Sequence, residues 1–265
     1  MKFGRDPRIS QIIILSIFSW IGLNYLEFRV TTIQIIAAIL TSVVLEILFT
    51  YAKTKKIVAP YSAIITGLST GLLLRADSIV PFVLTIFVAI TSKHFLKYKG
   101  SHIFNPSNIG IVVISFAFPI TVATAPLQWG FFWALLFIIA TAGTYMVYKV
   151  KRFSTIVSFL GMFFLAGIVR MIIWDKTFTS IFNEFMWGGL LIFTFFMITD
   201  PKTSPKSVKG QMLFGVLIAI LGQAMIQMQI HGALFVSLFI ICLARILFKI
   251  WQERIKVKTR EHLAT

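Results

Sequence analysis

Acidic residues are scarce in this chain: nine Asp and Glu in 265 residues, against 25 Lys and Arg. Charged residues make up 13% of the total, about half of the roughly 25% usual in a soluble domain. A water-exposed surface of ordinary polarity is therefore excluded. Cysteine occurs once, as Cys242 inside an apolar run, which rules out a disulfide framework. No Cys pair or carboxylate cluster offers a zinc or iron–sulfur set, so no metal site is read. Walker loop, nucleophile elbow and dinucleotide fingerprint are all missing, and no hydrolytic or transferase site is seen. What remains is apolar: 58% hydrophobic residues, 27 of them Phe, and a mean hydropathy of +0.90. The composition is that of an integral membrane protein.

The formal net charge of +16 does not make this a nucleic-acid binder. Such a protein gathers Lys and Arg on one domain with polar spacers, whereas here they stand in small groups between apolar runs. Ten such runs are read: 11–28, 30–52, 61–74, 79–95, 107–123, 128–148, 153–174, 185–199, 210–229 and 231–250. The third and eighth are short of the roughly 20 residues a bilayer core requires. Charge placement tests the count. With ten crossings, 21 basic residues share one side and only Arg29, Arg75, Arg170 and Lys176 fall on the other. Dropping either short run destroys that bias. The expected topology is ten spans with both termini in the cytoplasm of a bacterial-type inner membrane. The N-terminal run, which has a signal-peptide charge layout without a small-residue cleavage pattern, is read as an uncleaved first span.

Five spans per half make any internal repeat an inverted one. The third span of each half is short, carries glycines (Gly67 and Gly71; Gly188 and Gly189) and is followed by an acidic residue, Asp77 or Asp200. Paired short, interrupted spans point to a midplane site in an inverted-repeat fold. The expected division is 1–123, 128–250 and a basic tail 251–265, all in one membrane domain. That tail, an amphipathic continuation of the last span, suits anionic headgroups.

Several polar residues invite a choice. Asn105-Pro106 and Asp200-Pro201 carry the grammar of helix starts, and serve either as plain caps or as a polar ligand's amide-lined seat. Glu46 lies inside an apolar span and is either ion-linked or paired with a cation from a neighbouring helix. Gln223 and Gln227, four residues apart, bond across helices or to a ligand. His94 and His102, flanked by positive neighbours at the cytoplasmic edge, argue against a b-type haem.

SAIITGLSTGLLL, the FNPSN turn and FMITDPKTSP resemble the membrane flavin subunits of the Rnf and sodium-pumping NADH:quinone oxidoreductase complexes, the NqrB/RnfD family. The order of DPR, KGSHIFNPSN, APLQWG and DPKTSP is closer still to its stand-alone UnbU-like branch, associated with enediyne biosynthesis. The resemblance covers about residues 5–250. It implies two inverted five-helix repeats, related in architecture to urea channels, and electron transfer with redox partner proteins or a quinone. The respiratory subunits carry FMN covalently on the Thr of an S/T-G-A-T motif after the fifth span. The corresponding loop here, FPITVATAPLQWG, has Thr121 and Thr124 but not that motif. What carries over is a non-covalent flavin, FMN or riboflavin, bordered by Thr66, Gly67, Asn105, Asn108, Thr199 and Asp200. The alternative is a channel or carrier passing a small polar solute by the same residues. On either reading, the most enzymatic role expected is that of an electron-transfer subunit.

Overall fold

The computed structural model describes residues 6–26, 28–124, 133–185 and 188–262, with the side chains of Phe185 and of 257–262 left aside. Lys2, Arg5, the APLQWG turn and the opening of the eighth apolar run at Met186 and Trp187 lie outside the described residues. So do the first residues of the sixth run and the last three of the tail.

Each apolar run contributes to a helix, as it must where hydrocarbon offers no hydrogen-bond partner to free backbone. The first half holds α1 (Pro7–Tyr25), α2 (Thr32–Thr54), α3 (Tyr61–Leu73), α4 (Val80–Phe95) and α5 (Pro106–Ala117). The second holds α6 (Trp133–Val150), α7 (Phe153–Trp174), the short α8 (Phe178–Phe185) and α9 (Gly188–Ile192), then α10 (Val208–Gln227) and α11 (Ala233–His262). A π-helical segment, Phe193–Met197, continues α9. Five helices, α2, α6, α7, α10 and α11, are long and apolar enough to cross a membrane, while α3, α4 and α5 are shorter apolar helices. The fold is all-α and membrane-embedded.

Polarity is inverted relative to a soluble protein. On α2, Ile33, Ile36, Leu40, Val44 and Leu48 face outward, while Gln34, Ser42, Ile35 and Ala38 are buried. The small residues let helices close up. A Cβ on Gly67 would lie 2.7 Å from the Ile39 Cα, so α3 and α2 pack backbone to backbone there.

Side-chain contacts sort the helix ends into two faces. On the first, Lys93 and His94 at the end of α4 reach Glu46 in the last third of α2 at 2.6 and 2.9 Å. Lys149 at the end of α6 reaches Ser10 at the start of α1 at 3.0 Å. Arg152, before α7, donates to Ser204 at 2.7 Å. This is the Lys-rich face. On the opposite face Gln34, at the start of α2, donates to the Ala76 and Ser78 carbonyls after α3. There, strands β1 (Leu74–Ala76) and β4 (Val122–Thr124) pair antiparallel, Leu74 facing Thr124, and so tie the end of α3 to the segment after α5. Also on that face, Arg170 of α7 meets Glu184 of α8 at 2.7 Å, and Gln223 and Gln227 of α10 at 2.5 and 3.2 Å.

Candidate functional site

Two turns on the Lys-rich face build the site. The first begins with a hairpin, β2 (Lys97–Tyr98) against β3 (Ser101–His102). Lys99 and Gly100 form its tip, both with positive φ (49° and 81°), the backbone a two-residue hairpin needs. The hairpin turns His102 inward, where it is 8% exposed. Asn105 then caps α5, accepting from the Asn108 amide at 3.2 Å and the Ser107 hydroxyl at 3.0 Å. Pro106 follows at the first helical position, where its missing amide proton costs nothing.

The second turn follows the π-helical segment. Ile198 N–H donates to the Phe193 carbonyl at 3.1 Å, a five-residue reach. Thr199 returns its hydroxyl to the Phe195 carbonyl at 2.6 Å. Asp200 then turns the chain. Its Oδ1 accepts from the Lys202 amide at 2.9 Å, and its carbonyl accepts from the Ser204 amide and hydroxyl at 2.9 and 2.8 Å. Arg152 clamps the turn by donating to Ser204 and, at 3.3 Å, to the Pro201 carbonyl. The sequence grammar puts the start of the next helix at Asp200-Pro201. The structure starts it at Val208, with Ser207 as cap, because Asp200 spends its carboxylate and carbonyl on a closed turn of its own.

These turns meet. His102 Nε2 lies 3.2 Å from Asp200 Oδ2, and Asn105 Nδ2 donates to the same oxygen at 3.5 Å. Burial opposes ionisation of Asp200, but the hydrogen bond and charge of His102 and the Lys202 amide outweigh it, holding the carboxyl below the usual aspartate range. Burial pulls the Arg152 guanidinium down, against the charge of Asp200.

Beside this junction lies a cavity of about 490 Å³. Thr66, Asn105, Thr199 and Asp200, four of the six expected site residues, line it. His102 and Lys202 join them, and Arg8, whose guanidinium is held by Asp6, closes one side. Phe195, Phe196, Met146 and Ile65 give it apolar walls. Gly67 and Asn108 fall outside the lining. Gly67 faces α2. Asn108 is 1% exposed and donates at 3.1 Å to the Phe235 carbonyl of α11, joining the two halves, and its Oδ1 is buried without a partner among the described residues.

Sequence reasoning does not assign His102, Arg8 or Arg152 to the site, nor the Phe pair. The hairpin signal Lys99-Gly100 is the one cue that turns His102 inward. Nothing local distinguishes Phe195 and Phe196 among 27 phenylalanines. Of the residues with two open readings, Glu46 is paired with Lys93 and His94 of α4, and Gln223 and Gln227 bond across helices. Arg170 and Glu184 form a buried ion pair, which counting charges along the chain does not reveal.

The NQR2, RnfD, RnfE family model matches residues 7–131 and 124–255 of the chain. The chain is 28% identical over 240 residues to a subunit of the proton-translocating ferredoxin:NAD(+) oxidoreductase complex of Clostridium ljungdahlii, covering 69% of this chain and 70% of that protein. It is 33% identical over 92 residues to a subunit of the ion-translocating oxidoreductase complex of Shewanella sediminis, covering 35% of this chain. A similar subunit from Shewanella denitrificans is 30% identical over 115 residues, 43% of this chain. The matched stretches span 26% and 32% of the lengths of these two Shewanella proteins.

Proposed function

The chain belongs to the NQR2, RnfD, RnfE family, and from that premise we propose that it is a membrane electron-transfer subunit holding a non-covalent flavin in the cavity on its Lys-rich face. The relatives named above are, by their descriptions, subunits of ion-translocating oxidoreductase complexes, and this chain is assigned the same setting, exchanging electrons with redox partner proteins or a quinone. The order of its four turn motifs supports the UnbU-like branch. Its ten spans form two inverted repeats, 1–123 and 128–250, in a bacterial-type inner membrane, with the Lys-rich face and both termini in the cytoplasm.

One observation carries the assignment: two turns from distant parts of the chain converge on the His102–Asp200–Asn105 junction at the edge of a cavity with aromatic walls. A flavin needs flat apolar packing for its ring faces, and donors and acceptors for its pyrimidine edge. Phe195, Phe196, Met146 and Ile65 meet the first need, and Asn105, His102 and Asp200 the second. Thr66, Ser69 and Thr199 supply hydroxyls for a ribityl chain. The cavity's volume lies in the roughly 300–1,000 Å³ range of small-molecule sites. The bound flavin supplies the redox chemistry, while the chain binds and orients it and excludes water. Gly67 and Asn108 act one layer out: Gly67 lets α3 seat against α2, and Asn108 fixes the start of α5 against α11.

The test is the visible spectrum of protein purified from flavin-replete cells. A flavin band near stoichiometry is expected, released on denaturation, with no fluorescent band on denaturing gels, and lost in Asn105→Leu. A colourless protein that instead conducts a small polar solute in proteoliposomes would move the assignment to a channel or carrier.

A further inference from the structure

A larger opening, about 940 Å³, lies on the other side of the 201–207 turn, between α10, α11 and the β2–β3 hairpin. We propose that it is a binding site for an anionic phospholipid, an inference independent of the flavin reading.

Charge comes first. Lys99, Lys202, Lys206, Arg245 and Lys249 line the groove, and among the described residues no carboxylate does. Lys99 is bonded to Glu253 outside the lining. The Arg245 guanidinium donates to the Thr203 carbonyl, a neutral acceptor that leaves its charge uncompensated. An anion is the complement of this rim.

The second argument is the vertical order of polarity. From Ser207 at the mouth to Leu217, α10 descends about 15 Å at 1.5 Å per residue, and the lining changes from Lys206 and Ser207 to Leu213, Phe214 and Leu217. On α11 the same descent runs from Lys249 and Phe248 to Ile241. Leu213, Leu217, Phe248 and the neighbouring Ile220 and Leu247 are exposed apolar side chains on helices that cross the membrane. Cations at headgroup level above an apolar wall match an amphiphile with a phosphodiester head and acyl chains, and basic pockets between spans on a cytoplasmic face are where such headgroups bind. A free phosphate would use the rim and leave the wall bare. A protein partner would have to bring an acidic segment on an apolar helix.

The experiment is native mass spectrometry of the delipidated full chain in detergent, titrated with phosphatidylglycerol, with phosphatidylcholine of the same acyl length, and with inorganic phosphate. Phosphatidylglycerol should be retained roughly tenfold or more tightly than phosphatidylcholine, and inorganic phosphate should not displace it. Lys206→Gln/Lys249→Gln should weaken retention by a similar factor. Leu213→Trp/Leu217→Trp, which fills the wall and keeps every cation, should weaken it too, so that charge and shape are tested by separate variants. Size-exclusion profiles check that both variants remain folded. Lys53→Gln/Lys56→Gln, exposed at the end of α2 and outside the groove, should change little. Equal retention of the two lipids, displacement by inorganic phosphate, or an effect confined to the Lys53/Lys56 variant would each overturn the proposal.

Discussion

Asp200 gathers His102, Asn105 and the Lys202 amide on one carboxylate, and its substitution by Asn should be felt in stability as well as in ligand binding. Because its carboxyl titrates below the usual range when folded, the unfolded chain binds more protons between the two values, and stability rises with pH across that interval. The contribution is complete above the ordinary aspartate range and is lost as pH falls through the folded value. Asp200→Asn should therefore cost roughly 1–3 kcal/mol at neutral pH. In detergent melts, its gap from wild type should close below about pH 4. A gap that widens on acidification would contradict the assignment. Glu46 poses a different case, since it holds Lys93 where both side chains are nearly buried, 15% and 10% exposed. Glu46→Leu strands that cation and should cost about 3–5 kcal/mol, and Glu46→Leu/Lys93→Met should recover most of it. A double variant no more stable than the single would show that the pair is not what the helices depend on.

Among the elements, the contact of α2 with α3 is set by a missing side chain. Gly67→Ala puts a methyl group against the Ile39 backbone and should cost about 1–3 kcal/mol. Gly161, in α7, has open space where a Cβ would stand, with nothing within 4 Å, and should accept Ala with no loss or a gain of up to about 1 kcal/mol. Equal melting shifts for the two variants would remove the close-packing argument. The helices themselves are legible in the sequence, because the bilayer leaves the backbone one solution and hydropathy marks where it applies. The two polar turns are legible too, from Asn105-Pro106 and Asp200-Pro201. Less legible is what depends on distance across the chain. Asn108 reads as a ligand contact beside Asn105, yet its position one turn into α5 aims it at α11. Hydropathy also cannot separate α8, with its buried Glu184, from a loop, because the ion that makes its burial tolerable sits on α7.

At the scale of the whole molecule, the contacts of four basic residues sort with the helix ends. Lys93, Lys149 and Arg152 make their contacts on one face, and Arg170 makes its contacts on the other. Reporter fusions placed after Lys56 and after Lys209 should both report the cytoplasm, and an external signal from either would break the ten-span arrangement. For the proposed flavin site, the hydrogen bonds between the halves, Asn108 to Phe235 and His102 to Asp200, predict that separately expressed halves bind no flavin until they associate. Co-purification with restored colour is the measurement.

A π-helical segment amounts to one residue too many for an α-helix, and the surplus in Phe193–Met197 has a rotational consequence. Each residue advances the phase of an α-helix by about 100°. Wound as a regular α-helix, the same stretch would carry Thr199 and Asp200 more than a quarter-turn around the axis, leaving the cavity facing another pair of side chains. The length of this segment is therefore as much a part of the site's specification as its residues, and a single-residue deletion at Thr194 would change the site's chemistry without replacing any residue that lines it.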